Sequence, residues 1–323
     1  MGGNLRTLII LDTNQVRSLS YGSFKFGSEF KAIRAIIEAN ELSEFIDLAV
    51  PEAVMQEVLH QKAKQYSDDA QDIIEIRNRL SELPGVDFSQ VSLPDISFSC
   101  KEHLKSSIPA FIQSNGIRVI EIKEEKSGHI LKELLRRALE ERPPFRKNSD
   151  RGFKDVMIWE SILNYGGYDN YDKVILLTGD RYFNEACEAE FKSKVKKKIA
   201  TISSVELLQD EIEKDYSSEI QNKKWRGFTA NDYFKNRLLD EASKLKYITI
   251  DAIDRKVTQV TVVNYFDNFE ELEDSEESGT PIALVSSLSG TVEIEGTPTE
   301  VKIKARTFLD DTDGMQYTEF GVE

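Results

Sequence analysis

Cysteine, histidine and long apolar runs are all scarce in this sequence of 323 residues. Its two cysteines, Cys100 and Cys187, stand far apart, which leaves neither a disulfide framework nor a cluster with zinc-ligand spacing. The histidines make no metal set either. His103 and His129 have no partner at ligand spacing, and Glu57 with His60 forms a single Glu-x-x-His where a di-iron bundle needs two. Residues 22–27 have the glycine spacing of a phosphate loop, but Ser28 stands where lysine would be required. No stretch nears the roughly 18 uninterrupted apolar residues of a membrane span. The opening MGGNLRTLIILDTN lacks the charged, apolar and small-residue succession of a secretory signal. The expectation is a soluble, cytoplasmic protein with no membrane contact and no zinc, di-iron or phosphate-loop chemistry.

Positive charge is also in short supply. The net charge of -15 is unusual for a nucleic-acid binder, whose affinity rests on Lys and Arg neutralising phosphates. The deficit is local, however: residues 246–323 hold 6 Lys+Arg against 17 Asp+Glu, or -11, and residues 1–245 hold 36 against 40, or -4. Acidity therefore belongs mainly to the C-terminal segment.

What is present is an alternation of apolar runs and helical periodicities. Residues 5–11 form a continuous apolar run ending in Asp12-Thr13-Asn14, as a strand buried on both faces of a parallel sheet would. Residues 28–41 place Phe30, Ile33, Ala35, Ile36 and Ile37 at helical spacing, and residues 46–50 read as a second strand. Pro51 then opens a helix, a position where its missing N–H costs nothing. Residues 68–82 and 101–114 read as further helices, 117–122 as a third strand, 126–141 as a charged helix and 152–165 as another. Residues 173–177 are the next buried strand, ending in Thr178-Gly179-Asp180, and residues 198–202 the last. Such alternation implies an α/β fold, a parallel sheet flanked by helices, with ligands beyond the carboxyl ends of its strands. Asp12 and Asp180 both occupy such ends.

After a helix at about 229–245 the period changes to two, over 247–253, 258–266, 292–295 and 301–304. The last two segments predict a hairpin turning at residues 296–299, with Glu293 and Glu295 facing Lys302 and Lys304. The acidic stretch 267–280 reads as a solvated loop or linker. The organisation expected is one domain over 1–225, with a helical insertion around 67–115, and a smaller, acidic, β-rich C-terminal domain over 226–323 entered by a helix.

Four acids stand out along the first domain: Asp12, Glu57, Asp155 and Asp180. A pair of hard divalent cations aligns an attacking water and stabilises a leaving oxygen, and only clustered carboxylates hold such cations beside a polyanion. Taken alone, each acid has an ordinary explanation: a turn or cap for Asp12 and Asp180, a solvent-facing helix position for Glu57, a helix N-terminus for Asp155.

Together they carry a resemblance. LIILDTN, PEAVMQEVL, RGFKDVMIWESIL and VILLTGDRYF follow the order of the four acidic motifs of PIN-domain nucleases, and RPPFRKNSDRGFKDVMIW resembles the larger bacterial PIN-like subgroup. The resemblance covers roughly residues 5–205. It implies that Asp12, Glu57, Asp155 and Asp180 are catalytic carboxylates binding Mg²⁺ or Mn²⁺, supported by Asn14. Two departures are evident: Tyr182 stands where many members have a further Asp, and the interval from Glu57 to Asp155 is long.

Arg142, Arg146, Lys147, Arg151 and Lys154 crowd the approach to Asp155, either to meet substrate phosphates or as an ordinary solvated loop. Lys192, Lys194, Lys196, Lys197 and Lys198 read as a solvated face. The expectation is a metal-dependent nuclease, an endoribonuclease using a metal-activated water in RNA processing, a toxin-like response or anti-phage defence. Asn14, Arg146, Lys147, Arg151, Lys154 and Arg181 would bind RNA, or alternatively DNA. The alternatives are a non-catalytic PIN-fold binding module and a structure-specific DNA nuclease. The C-terminal domain is expected to repel nucleic acid and to serve a protein partner or self-association.

Overall fold

The run TLIIL forms β1 (Thr7–Leu11), buried at every position. In the computed structural model, which describes residues 5–18, 20–83, 98–145, 152–217, 219–220, 223, 227, 232–262, 268–270, 283–309 and 315–322, β1 is the centre of a parallel sheet. It pairs on one side with β2 (Ile46–Pro51) and on the other with β4 (Lys173–Leu177). Beyond β2 lies β3 (Arg118–Ile120) and beyond β4 lies β5 (Ile199–Ile202), giving the order β3-β2-β1-β4-β5.

Parallel neighbours need long crossovers, and helices supply them. α1 (Thr13–Val16) and α2 (Ser28–Ala39) lead to β2. α3 (Glu52–Leu80), α4 (Cys100–Ser106) and α5 (Ile108–Asn115) lead to β3, then α6 (Ser127–Leu139) and α7 (Phe153–Leu163) to β4. α8 (Glu185–Val195) joins β4 to β5, and α9 (Val205–Asp215) follows. Leu8, Ile9, Ile10 and Leu11 are all fully buried, each worth roughly 1.5–3 kcal/mol of burial. The chain winds from β1 outward through β2 and β3, then returns to β1's other edge with β4. That reversal is the switch point of the sheet, and ligands of open parallel sheets bind beyond the carboxyl ends of the strands at such a point.

Two details of the first unit differ from the sequence expectation. The helix opened by Pro51 does not stop before residue 68: α3 runs unbroken for 29 residues, because no Gly or Pro interrupts it. The helix expected over 101–114 is two, α4 and α5, parted at Ser107, whose hydroxyl binds the Leu104 carbonyl ahead of Pro109. The glycine pattern of residues 22–27 has a packing cause at Gly27, where a β-carbon would lie 1.9 Å from the Arg17 carbonyl oxygen. Gly27 also donates its N–H to the Val16 carbonyl at 3.3 Å, tying the start of α2 to the end of α1. Gly27→Ala should therefore destabilise the protein by about 1–3 kcal/mol, read as a lower urea midpoint. An unchanged midpoint would mean that the backbone relaxes freely there.

The chain divides into two compact units, Met1–Tyr216 and Ser217–Glu323. In the second, α10 (Asp232–Ser243) packs on an antiparallel sheet of β6 (Tyr247–Ile250), β7 (Ile253–Val262), β9 (Ala283–Ile294), β10 (Thr297–Leu309) and β11 (Met315–Val322), in the order β11-β10-β9-β7-β6, with β8 (Asn268–Glu270) paired to β9. Phe234, Leu238 and Ala242 of α10 bury themselves against Ile248, Leu288, Val292, Ile303 and Ala305 of the sheet.

The acidic stretch expected to be loop thus begins with a short strand, and residues 271–280 lie outside the described residues. The β9–β10 turn is also tighter than expected. Glu295 and Gly296 form it, both at positive φ, as the two-residue turns that match strand twist require. Glu293 consequently faces Pro298, and Lys302 and Lys304 face Ser289 and Ser287. The β6–β7 turn falls at Asp251-Ala252, also at positive φ, where neither residue gives a glycine signal.

Candidate active site

Asp12 leaves the end of β1 directly into α1 and caps that helix, its Oδ1 accepting the Thr13 backbone N–H at 2.7 Å. Its Oδ2 accepts the Thr178 hydroxyl at 2.7 Å, across the switch point from the end of β4. The backbone continues the link, with the Asp12 N–H donating to the Leu177 carbonyl at 3.1 Å. Only 4% of Asp12 is exposed. Burial raises its pKa above the usual carboxylate range; the bonds from Thr178 and Thr13 pull the other way, and the charges of Glu57 and Asp180 add to the rise. Asp12 is therefore a carboxylate held in a field of like charge, an arrangement that favours a cation.

Glu57 belongs to α3, whose buried stripe of Val54, Met55, Val58 and Leu59 fixes the helix and leaves Glu57 at its margin. The Thr13 hydroxyl donates to its Oε2 at 2.9 Å, and Gln61 donates to its Oε1 at 3.2 Å. The Lys154 ammonium binds the same Oε1 at 2.8 Å. Asp180 follows β4 in a turn of its own: its N–H donates to the Thr178 hydroxyl at 3.0 Å and its Oδ1 accepts the Tyr182 N–H at 2.9 Å. Two threonine hydroxyls thus connect the acids, Thr178 reaching Asp12 and Thr13 reaching Glu57. Sequence reasoning missed Thr13, Thr178 and Gln61, although both threonines stand in the DTN and TGD tripeptides that mark the strand ends.

Asp155 is half-buried in the first turn of α7, an acid-favouring position. Its neighbour Lys154 binds Glu57 where the start of α7 lies against α3. The Asn14 amide nitrogen lies beside Gly179, 3.8 Å from where a β-carbon would project. Arg181 is exposed, its guanidinium 5.5 Å above the Tyr182 ring. Arg142 pairs with Glu140 at 2.7 Å. Arg146, Lys147 and Arg151 lie outside the described residues. In the second basic run, Lys192, Lys194, Lys196 and Lys198 are exposed, and Lys197 binds the Tyr171 carbonyl.

Carboxylate and hydroxyl oxygens predominate at this end of the sheet, a donor type suited to a hard divalent cation. Among the described residues, no three His, Cys, Asp or Glu side chains converge into a group that could hold a metal in this arrangement. Glu57 instead carries the Lys154 ammonium. The donor chemistry fits Mg²⁺ or Mn²⁺, with a chain cation standing at one of the acids.

A cavity of about 310 Å³ lies elsewhere, lined by Arg34, Glu38, Asp47 and Asn115. Asp47 is near the start of β2, at the opposite end of the strand from the acids, so that cavity is no part of the candidate site. His60 and His129 are exposed, and the His103 ring bonds the Gly22 carbonyl at 3.0 Å. Both cysteines are buried free thiols. Among the described residues, no helix is long and apolar enough to cross a membrane.

A family model described as PIN domain matches residues 9–183, more than half of the chain and a span containing all four acids. No curated protein matches the sequence.

Proposed function

Since this chain belongs to the PIN-domain family, whose members are generally nucleases, we propose that it is a metal-dependent endoribonuclease. The observation that carries this reading is the placing of Asp12 and Asp180 at the carboxyl ends of β1 and β4, both bonded to the Thr178 hydroxyl, with Glu57 bonded to Thr13 next to Asp12. Asp12, Glu57, Asp155 and Asp180 would hold Mg²⁺ or Mn²⁺, which supplies polarisation of the scissile phosphate and an acidified water.

The chain's own residues do the rest. Thr178 and the Thr13 N–H orient the Asp12 carboxylate, and the Thr13 hydroxyl orients Glu57. Lys154 and Arg181, with Asn14, are the polar and basic groups near the acids that would meet substrate phosphates. Arg146, Lys147 and Arg151, just ahead of α7 in sequence, extend that contact along the RNA backbone. The -11 charge of residues 246–323 repels polyanions, so the second unit serves a protein partner or self-association and not the substrate. This is a cytoplasmic activity in RNA processing, a toxin-like response or defence.

A second reading, a PIN-fold binding module without cleavage, draws on one observation: no three acids converge among the described residues. Labelled single-stranded RNA, single-stranded DNA and branched DNA, each incubated with the full chain in Mn²⁺ or in EDTA, separate the readings. The expected result is RNA cleavage in Mn²⁺ alone, leaving 5′-phosphate ends. RNA binding without cleavage in any metal would favour the module, and preference for branched DNA would identify a structure-specific DNA nuclease.

A further inference from the structure

The Lys154–Glu57 contact joins residues 97 positions apart in sequence and is made at one of the acids assigned above to the metal. Glu57 accepts from three donors. Its Oε2 takes the Thr13 hydroxyl, and its Oε1 takes both the Gln61 amide and the Lys154 ammonium. Of these donors only Lys154 is charged and largely exposed, its side chain 64% accessible against 15% for Glu57. Thr13, a short side chain in α1, and Gln61, one turn along α3 from Glu57, are neutral donors with no charge to oppose a metal. Lys154 can swing away on four methylenes from the first turn of α7.

We propose that Lys154 is a built-in counter-ion, paired with Glu57 when the metal is away and released to a substrate phosphate when the metal enters. This rests on the metal-site reading above and adds its regulation. An ammonium 2.8 Å from Glu57 opposes a second cation at the same carboxylate, so Lys154 must give up Glu57 before that oxygen can ligate. An exposed ion pair is weak enough for a divalent charge to override. Once off Glu57, the ammonium has lost the carboxylate it was paired with, and a phosphate is the natural partner for that charge. Linkage makes the effect reciprocal: a polyanion that draws Lys154 off Glu57 raises metal affinity by the factor with which metal raises polyanion affinity. Metal and RNA therefore load cooperatively, and the empty site keeps its charge balanced.

The test is calorimetric titration of Mn²⁺ into the full chain, compared with Lys154→Met, which keeps the stem and removes the charge, and Lys154→Arg, which keeps the charge. Lys154→Met should bind Mn²⁺ roughly 5- to 10-fold more tightly than wild type, within the usual range of coupling between sites, and Lys154→Arg should behave as wild type. A 2′-O-methyl RNA oligonucleotide, verified intact at the end of each titration, should tighten Mn²⁺ binding several-fold in wild type and much less in Lys154→Met. Equal or weaker Mn²⁺ binding by Lys154→Met overturns the inference while leaving the metal site standing. Failure of all three proteins to bind Mn²⁺ overturns the site and the inference together.

Discussion

Replacing Asp12 by asparagine should lower metal-dependent cleavage by at least about a hundredfold, or about 2.7 kcal/mol of transition-state stabilisation, without unfolding the protein. The substitution keeps the shape of a side chain that is 4% exposed, and its oxygen can still accept the Thr13 N–H. Its new amide can donate to Thr178, whose hydroxyl turns from donor to acceptor. What is lost is the charge that a divalent cation needs.

Stability should move the other way. Burial raises the folded pKa of Asp12, with Glu57 and Asp180 adding to the rise, so the native state holds this proton more tightly than the unfolded chain. The resulting stabilisation is fully present below the unfolded value of about 3.9 and is lost as pH rises through the raised folded value. At neutral pH the ionised Asp12 therefore costs the metal-free protein stability, and Asp12→Asn removes that cost. Urea unfolding at pH 7 in EDTA should find the variant as stable as wild type or more so, with the advantage shrinking toward pH 4. Mn²⁺ should raise the melting temperature of wild type more than that of the variant, because a ligand stabilises the state that binds it. Wild-type cleavage rates in Asp12→Asn would remove Asp12 from the proposed centre, whatever the stability.

Arg137→Met should destabilise the protein by about 3–5 kcal/mol, the usual cost of removing one partner from a buried ion pair. Arg137 is 1% exposed and Glu160 fully buried, and its Nε donates to Glu160 Oε1 at 2.8 Å. Its Nη2 donates to both oxygens of Glu190 at 2.6 Å, and its Nη1 to the Pro143 carbonyl at 2.7 Å. One guanidinium thus joins α6, α7, α8 and the loop that leads toward α7.

Methionine matches much of the volume but leaves the buried Glu160 carboxyl without its partner. Adding Glu160→Gln should recover part of the loss, whereas a double variant no more stable than Arg137→Met would show that packing, and not the stranded carboxyl, is the cause. Glu190 reports the same network in acid. Burial alone would raise its carboxyl, but the bonds from Arg137, Trp159 and Lys194 outweigh burial and hold it at about 2. Its contribution is present above the unfolded glutamate value and is lost as pH falls from about 4.3 toward the folded value. Wild type should therefore lose stability across that window, and Arg137→Met should lose less.

Much of the first unit could be read directly from the chain, because burial on two faces leaves a one-dimensional mark. The runs at β1 and β4 are continuous and apolar, each ends in a polar tripeptide holding an acid, and helices separate them. The parallel sheet and the place of Asp12 and Asp180 at strand ends follow from that pattern. The hairpin turns were legible only in part: Gly296 signals one, but Asp251-Ala252 adopts positive φ with no glycine to announce it.

Partnership was left to the tertiary structure. Residues 126–141 read as a charged helix, yet Arg137 is buried within it, since Glu160 and Glu190 come from two later helices. Lys154 read as one of several cations near Asp155, and only the packing of α7 against α3 sets its ammonium on Glu57. Periodicity reports whether a segment meets water; it carries no information about which distant charge a side chain will meet. That is set when the sheet order and helix packing fix distances between residues far apart in the chain, and Coulomb energy depends on those distances.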